Sequence, residues 1–215
     1  MYPWITHTWN PIRGRCPHDC SYCYMKQFHV GRLRFEKDEL QTDLGAWNTI
    51  FVGSSCDMFA APVVSDWIDA VLKKCKQHNN KYLFQSKNTQ RMCDYFIDFP
   101  DGSILGTTLE SNRYYQISKA PSTPERVKWL KTLSESIGYY FFISIEPILD
   151  FDLDPFVEMI RSIEPSFVSV GADSKHHNLP EPDPRKTRLL INTLKEFTEV
   201  KIKNNLQRIL RGIYE

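Results

Sequence analysis

Short runs of continuous apolar or β-branched residues alternate along this chain with longer stretches of helical periodicity. The runs at Ile5–Trp9, Ile50–Gly53, Tyr82–Gln85, Ser103–Thr108, Tyr140–Ile145 and Phe167–Gly171 read as strands. Segments such as YLF, YFFISI and FVSV carry no polar alternation, as expected for strands buried on both faces of a parallel sheet. Between them, apolar residues recur every three or four positions. Ser65–His78 is expected to be helical, with Trp67, Ile68, Val71, Leu72 and Cys75 at spacings of three and four. Further helices are expected from Thr89, as a cap, through Phe96, and from Thr123-Pro124-Glu125 to about residue 136. Two more are expected from Asp154-Pro155 through Ile163 and over Pro184–Glu199.

Six strand–helix units imply a parallel sheet with right-handed crossovers. In 215 residues they leave about 36 residues each, close to the minimum for a βαβ unit, whereas eight units need about 250. The expected fold is therefore α/β, an incomplete barrel or an open sheet. We expect one domain over 1–215, with a core barrel to residue 175 and a closing segment over 176–215. In such folds chemistry belongs at the C-terminal ends of the strands.

Composition narrows the field. At 41% hydrophobic and 25% charged residues the chain is ordinary globular protein, which excludes a coiled coil or a collagen-like repeat. No run approaches the roughly 20 apolar residues of a membrane helix, and the N-terminus lacks a signal pattern. A cytoplasmic protein with no membrane partner is expected. A net charge of +1 argues against global attraction to nucleic acid. The stretch from Arg185 to Arg211 is locally basic and reads as a solvated helix face, with a nucleic-acid surface as the alternative.

Three of the six cysteines crowd into one loop after the first strand, as Cys16-Pro17-His18-Asp19-Cys20-Ser21-Tyr22-Cys23. In a reducing compartment such a cluster points to metal or catalysis rather than disulfides. Three thiolates on one loop suit three irons of a cubane cluster and leave the fourth iron for an exchangeable ligand. The competing reading is a zinc-stabilised nucleic-acid-binding module, with His7, His18 or His29 completing a Cys3His site. Cys56, Cys75 and Cys93 are scattered and read as structural, although Cys56 lies at a strand end and is a candidate hydrogen donor.

The Cys-x3-Cys-x2-Cys spacing, with an aromatic before the third cysteine, resembles the radical S-adenosylmethionine (SAM) signature. The wider row TWNPIRGRC, FVGSSCDMF, SKNTQR, GTTLES, ISIEP and VSVGADS resembles a small phage and bacterial family related to spore photoproduct lyase, over residues 4 to 175. The resemblance selects the incomplete barrel, a partial (β/α)6 barrel, and implies a [4Fe–4S] cluster on Cys16, Cys20 and Cys23 whose open iron is chelated by SAM. It implies reductive cleavage of SAM to a 5′-deoxyadenosyl radical that abstracts hydrogen from a substrate. A reductase or a flavodoxin- or ferredoxin-type electron donor is implied as partner. The substrate class it suggests is a nucleobase or modified nucleotide, which also admits nucleic acid; a small amino-acid-derived molecule or a peptide is the alternative.

The same resemblance distributes roles over the strand ends. Tyr22 is expected near adenine and Lys87 on the SAM carboxylate. Many radical SAM enzymes carry Gly-Gly-Glu after the second strand; this chain has GSSCD, so Ser55, with Ser54 or Asp57 as alternates, is expected to take the SAM ammonium. Thr108 is expected at the carboxylate or ribose, Glu110 at the ribose hydroxyls or substrate, Gly171 at adenine or substrate, and Trp9 and Asn10 around the cluster. Glu146 is expected to contact SAM or substrate, since an unpaired glutamate at the mouth of a sheet is costly to bury, with pairing to a neighbouring arginine as the alternative. Asp173 is a substrate-side candidate.

Overall fold

The computed structural model describes residues 2–135, 138–175 and 177–212. In chain order the strands are β1 His7–Trp9, β2 Ile12–Arg13, β3 Arg34–Phe35, β4 Thr49–Val52, β5 Lys81–Gln85, β6 Ile104–Thr108, β7 Tyr140–Ile145, β8 Phe167–Val170 and β9 Glu199–Ile202. The α-helices are α1 Ser65–Lys76, α2 Thr89–Cys93, α3 Thr123–Ser134, α4 Leu153–Arg161, α5 Pro184–Leu194 and α6 Gln207–Arg211. Seven strands form one sheet in the order β1-β4-β5-β6-β7-β8-β9, every neighbouring pair parallel. This is the α/β partial barrel expected from the alternation and the resemblance. β2 and β3 pair antiparallel as a small ribbon beside it.

Residues on alternate sides of each strand part company. Val52, Tyr82, Phe84, Leu105, Ile143 and Val168 pack with the helices in the main core. Leu83, Phe142 and Phe167 turn to the concave face, where Tyr2 and Ile5 complete a second cluster. The expected first strand therefore begins too early: Ile5 donates its N–H to the Tyr2 carbonyl in a turn, and the ladder starts at His7. Gly106 is where the concave packing is tightest. A Cβ there would lie 2.2 Å from the Phe142 ring, so only glycine lets that ring lie across β6.

Two expected helices are shorter than their periodicity suggests. The second is capped by Asn88, whose side chain accepts from the Arg91 N–H, while the Thr89 hydroxyl donates to the Arg126 carbonyl; the helix ends at Cys93. α3 opens on a capping box, Ser122 with Glu125 and a proline in the first turn, and its expected last residue, 136, lies outside the described residues. The helix expected over Pro184–Glu199 stops at Leu194, and Glu199–Ile202 is instead a seventh sheet strand against β8. Among the described residues no helix is long and apolar enough to cross a membrane.

Candidate active site

The C-terminal ends of the strands enclose a cavity of about 550 Å³. Twelve of the sixteen residues expected at the site line it: Cys16, Cys20, Cys23 and Tyr22 from the cysteine loop, Ser54, Ser55, Cys56 and Asp57 after β4, and Lys87, Thr108, Glu146 and Asp173 after later strands. Trp9, expected around the cluster, is instead buried in the main core, its Nε1 donating to the Glu39 carbonyl. Asn10, Glu110 and Gly171 stand behind this wall, and each shapes it.

Asn10 holds the GSS turn. Its Oδ1 accepts from the Ser55 N–H at 2.9 Å, the Ser55 hydroxyl at 3.0 Å and the Ser54 hydroxyl at 3.1 Å. Gly53, at φ +74°, begins that turn as a strand end passes into a loop.

Asp57 is a joint. Its carboxylate accepts from His18 Nε2 at 2.8 Å, the Ser86 hydroxyl at 3.0 Å, the Lys87 N–H at 2.8 Å and the Phe59 N–H at 3.0 Å. It thereby ties the cysteine loop to the ends of β4 and β5. Burial works against its charge, yet the His18 bond and the two further donors hold its titration below the usual carboxylate range. Burial likewise opposes the His18 cation, and the bond and charge of Asp57 outweigh it, raising His18. Neither residue type at this spacing announces the pair, and His18 was legible only as a candidate metal ligand.

Glu110 anchors a second network. One carboxylate oxygen receives the Tyr22 hydroxyl and the Lys87 ammonium; the other receives Arg126 Nη1 at 2.8 Å. Lys87 also donates to the Tyr22 hydroxyl, and its ammonium lies 4.8 Å from the Tyr22 ring centroid. Glu110 and Arg126 are 3% and 4% exposed, so this is a buried ion pair. Burial alone would raise Glu110; the charges of Lys87 and Arg126 reverse that and hold it at about 2. Arg126 sits in the first turn of α3 and gave no motif.

The opposite wall is built around Glu146, which forms an ion pair with Lys203. The Lys203 ammonium lies 4.4 Å from the Tyr2 ring centroid. A Cβ on Gly171 would meet Glu146 Oε1 at 3.1 Å, so this glycine makes room for the carboxylate. Tyr2 forms the floor: its hydroxyl donates to Gln85 Oε1 at 2.9 Å, and Gln85 Nε2 donates to the Thr108 hydroxyl at 2.9 Å. Burial first and Glu146 second keep the Tyr2 phenol protonated. Asp173 reaches the cavity, but its oxygens are taken by the Lys175 N–H and by His177, so it holds its own loop. Lys203 belongs to the basic stretch read as a solvated helix face; the structure places it at the cavity wall, immediately after β9, the strand that the periodicity missed.

All six cysteines are free. Cys56 is 2% exposed, and its thiol donates to Cys16; that bond draws Cys16 down to about 6 and pushes Cys56 up. Among the described residues no three His, Cys, Asp or Glu side chains converge on a site for one metal ion. Zinc needs its ligands on one centre, whereas a cubane holds each thiolate on a different iron and needs them spread around it. Three thiols on one loop, facing one cavity and with His18 committed to Asp57, fit the second donor set.

A family model described as "Protein of unknown function (DUF5131)" matches residues 2–180. No curated protein matches the chain. Solved structures of spore photoproduct lyase share its fold. A variant with dinucleoside spore photoproduct superposes with a TM-score of 0.66 at 11% identity, over 89% of this chain and 74% of that one. A second variant, with bound AdoMet and dinucleoside spore photoproduct, gives 0.63 at 9% identity over 91% and 75%.

Proposed function

The chain belongs to the DUF5131 family, and from its site we propose that it is a radical SAM enzyme. The observation that carries this reading is one cavity whose wall combines three free cysteines of a single loop with Lys87, at the strand ends of a spore-photoproduct-lyase-like barrel. Cys16, Cys20 and Cys23 would hold a [4Fe–4S] cluster. When bound, the reduced cluster with SAM supplies a carbon radical able to abstract hydrogen, chemistry that belongs to the cofactor.

The chain's own residues bind, orient and shield. Lys87 offers its ammonium to the SAM carboxylate as a charge-assisted donor. The GSS turn that Asn10 holds would take the SAM ammonium, and Tyr22 and Thr108 would flank the nucleoside. Asp57 keeps the cysteine loop and the Lys87 backbone at fixed separation. Cys56 packs against Cys16 and shields the loop. On the far wall Glu146 and Lys203 present an acceptor beside a donor to the substrate, and Asp173 shapes the loop above them. The neighbours' dinucleoside ligands favour a nucleobase or modified nucleotide as that substrate.

Anaerobic reconstitution with iron and sulfide tests the reading. It should give the broad visible absorption of a [4Fe–4S] cluster, and SAM with a reductant should yield 5′-deoxyadenosine. Cys20→Ala should abolish both. One zinc per chain and no iron in protein prepared without oxygen would establish the rival zinc-stabilised module instead.

A further inference from the structure

The cysteine loop has a second face. Cys16, Cys20 and Cys23 also line a separate groove of about 730 Å³, bounded by Gly14, Arg15, Asp19, Lys26 and the segment Phe28–Arg32. The thiols are therefore approached from two sides: from the polar cavity, and from this groove behind it.

The rim of the groove is cationic, and its shape is built. Gly14 sits at φ +112°, with an added Cβ 2.2 Å from the Arg32 carbonyl oxygen. The Arg15 N–H donates to the Gly31 carbonyl at 3.1 Å, and β2 pairs with β3 just beyond. These contacts clamp the Arg15 and Arg32 segments together. Both arginines are exposed and have no ion-pair partner among the described residues. Lys26 and Lys119 share the one carboxylate of the groove, Asp19, at 3.0 and 3.1 Å. Phe28 is 55% exposed beside them. A chain with net charge +1 thus places a local excess of positive charge, with an exposed ring, at a groove that opens onto the backs of the thiols.

We propose that this groove is the docking site of an acidic one-electron carrier protein of the flavodoxin class. The inference rests on the radical SAM reading. In the step it serves, the carrier loses one electron and the group held by the three cysteines gains it; no atom moves. Electron transfer falls steeply with distance, so the carrier must reach the thiolate side, and the substrate cavity is the wrong side to block. Weak electron-transfer encounters bury little surface and depend on charge steering, which matches a small basic rim around one apolar contact. A nucleic acid would also find the cations, but it has no use for access to the thiols.

Stopped-flow reduction of the reconstituted chain by reduced flavodoxin tests this. The double variant Arg15→Glu with Arg32→Glu should lower the bimolecular rate about tenfold at low salt and flatten its salt dependence. Lys73→Glu with Lys195→Glu, the same charge change on outer helices, should stay within about twofold of wild type. Photoreduced deazaflavin, a small neutral reductant, should reduce all three proteins alike, and their melting temperatures should agree. Equal slowing by the two double variants, or none by the first, overturns the proposal. So does loss of oligonucleotide binding with flavodoxin reduction unchanged. If the chain takes up no iron, the radical SAM reading falls by itself. Docking is then decided by salt-sensitive binding of oxidised flavodoxin: its loss in Arg15→Glu with Arg32→Glu supports the site, and its absence in wild type overturns it.

Discussion

Replacing Glu110 by glutamine should destabilise the fold by about 3 kcal/mol at neutral pH. The magnitude follows from where the group titrates. Its carboxyl lies at about 2 in the folded chain against 4.5 for an unperturbed glutamate. That gap, near 2.5 pH units at about 1.4 kcal/mol each, corresponds to about 3 kcal/mol. The folded value is depressed, so the stabilisation is complete above about 4.5 and is lost as pH falls toward 2. Glu110→Gln keeps the shape and leaves Lys87 and Arg126 cationic without their shared anion, where breaking a buried pair typically costs about 3–5 kcal/mol. For a chain of this size the expected fall in melting temperature is about 6–12 °C. Urea unfolding of both proteins at pH 7, 5, 4 and 3 is the assay, and the difference should shrink steadily at the acid end. Glu110→Gln with Arg126→Met should cost less than the sum of the two single changes, because the second removes the cation that the first strands. A cost under about 1 kcal/mol at pH 7, or one that is the same at pH 3, would refute the reasoning.

Asp57→Asn should lower the His18 titration below its present raised value, read by NMR. In wild type the His18 contribution to stability is full below its unfolded pKa and lost as pH rises through the folded one, and this dependence should vanish in the variant. Gly106→Ala should destabilise by about 1–3 kcal/mol through overpacking against Phe142. Phe142→Leu in the same chain should recover part of that loss in thermal melts, whereas an unchanged loss would show that the backbone, not the ring, is the obstacle.

The sheet was readable where the sequence signal is local. Tyr140–Ile145 matches its expected bounds because five of its six residues are aromatic or aliphatic and the run is bracketed by Gly138 on one side and Glu146-Pro147 on the other. The cysteine loop was readable for the same reason, since its spacing lies within eight residues. β9 was not. Its lysines occupy positions that one dimension assigns to water, but on an edge strand against β8 they turn inward. There Lys201 lies 4.4 Å from the Phe167 ring centroid, and Lys203, one residue past the strand, lies 4.4 Å from that of Tyr2, so aromatic faces replace part of the hydration. The Tyr22–Glu110–Arg126 network escaped for a different reason: its contacts span 16 and 88 residues, and no single segment carries its pattern.

That network also bears on how the proposed site accepts SAM. Lys87 is engaged with Glu110 and Tyr22, so a carboxylate arriving in the cavity must compete for it. Drawing a lysine from a buried glutamate is ordinarily expensive, because a lone anion remains. Here Glu110 keeps Arg126, which also donates from Nη1 to the Thr108 carbonyl and from Nε to the Pro121 carbonyl, and is therefore fixed in place. Lys87 can turn its ammonium toward a ligand while Glu110 stays paired, and the lysine exchanges one carboxylate for another at little net cost. Without Arg126 the same movement would strand Glu110. Arg126→Met should therefore weaken SAM binding although the arginine lies behind the cavity wall, an effect that equilibrium binding to the reconstituted protein can read; unchanged affinity in a folded Arg126→Met protein would mean that Lys87 never leaves Glu110.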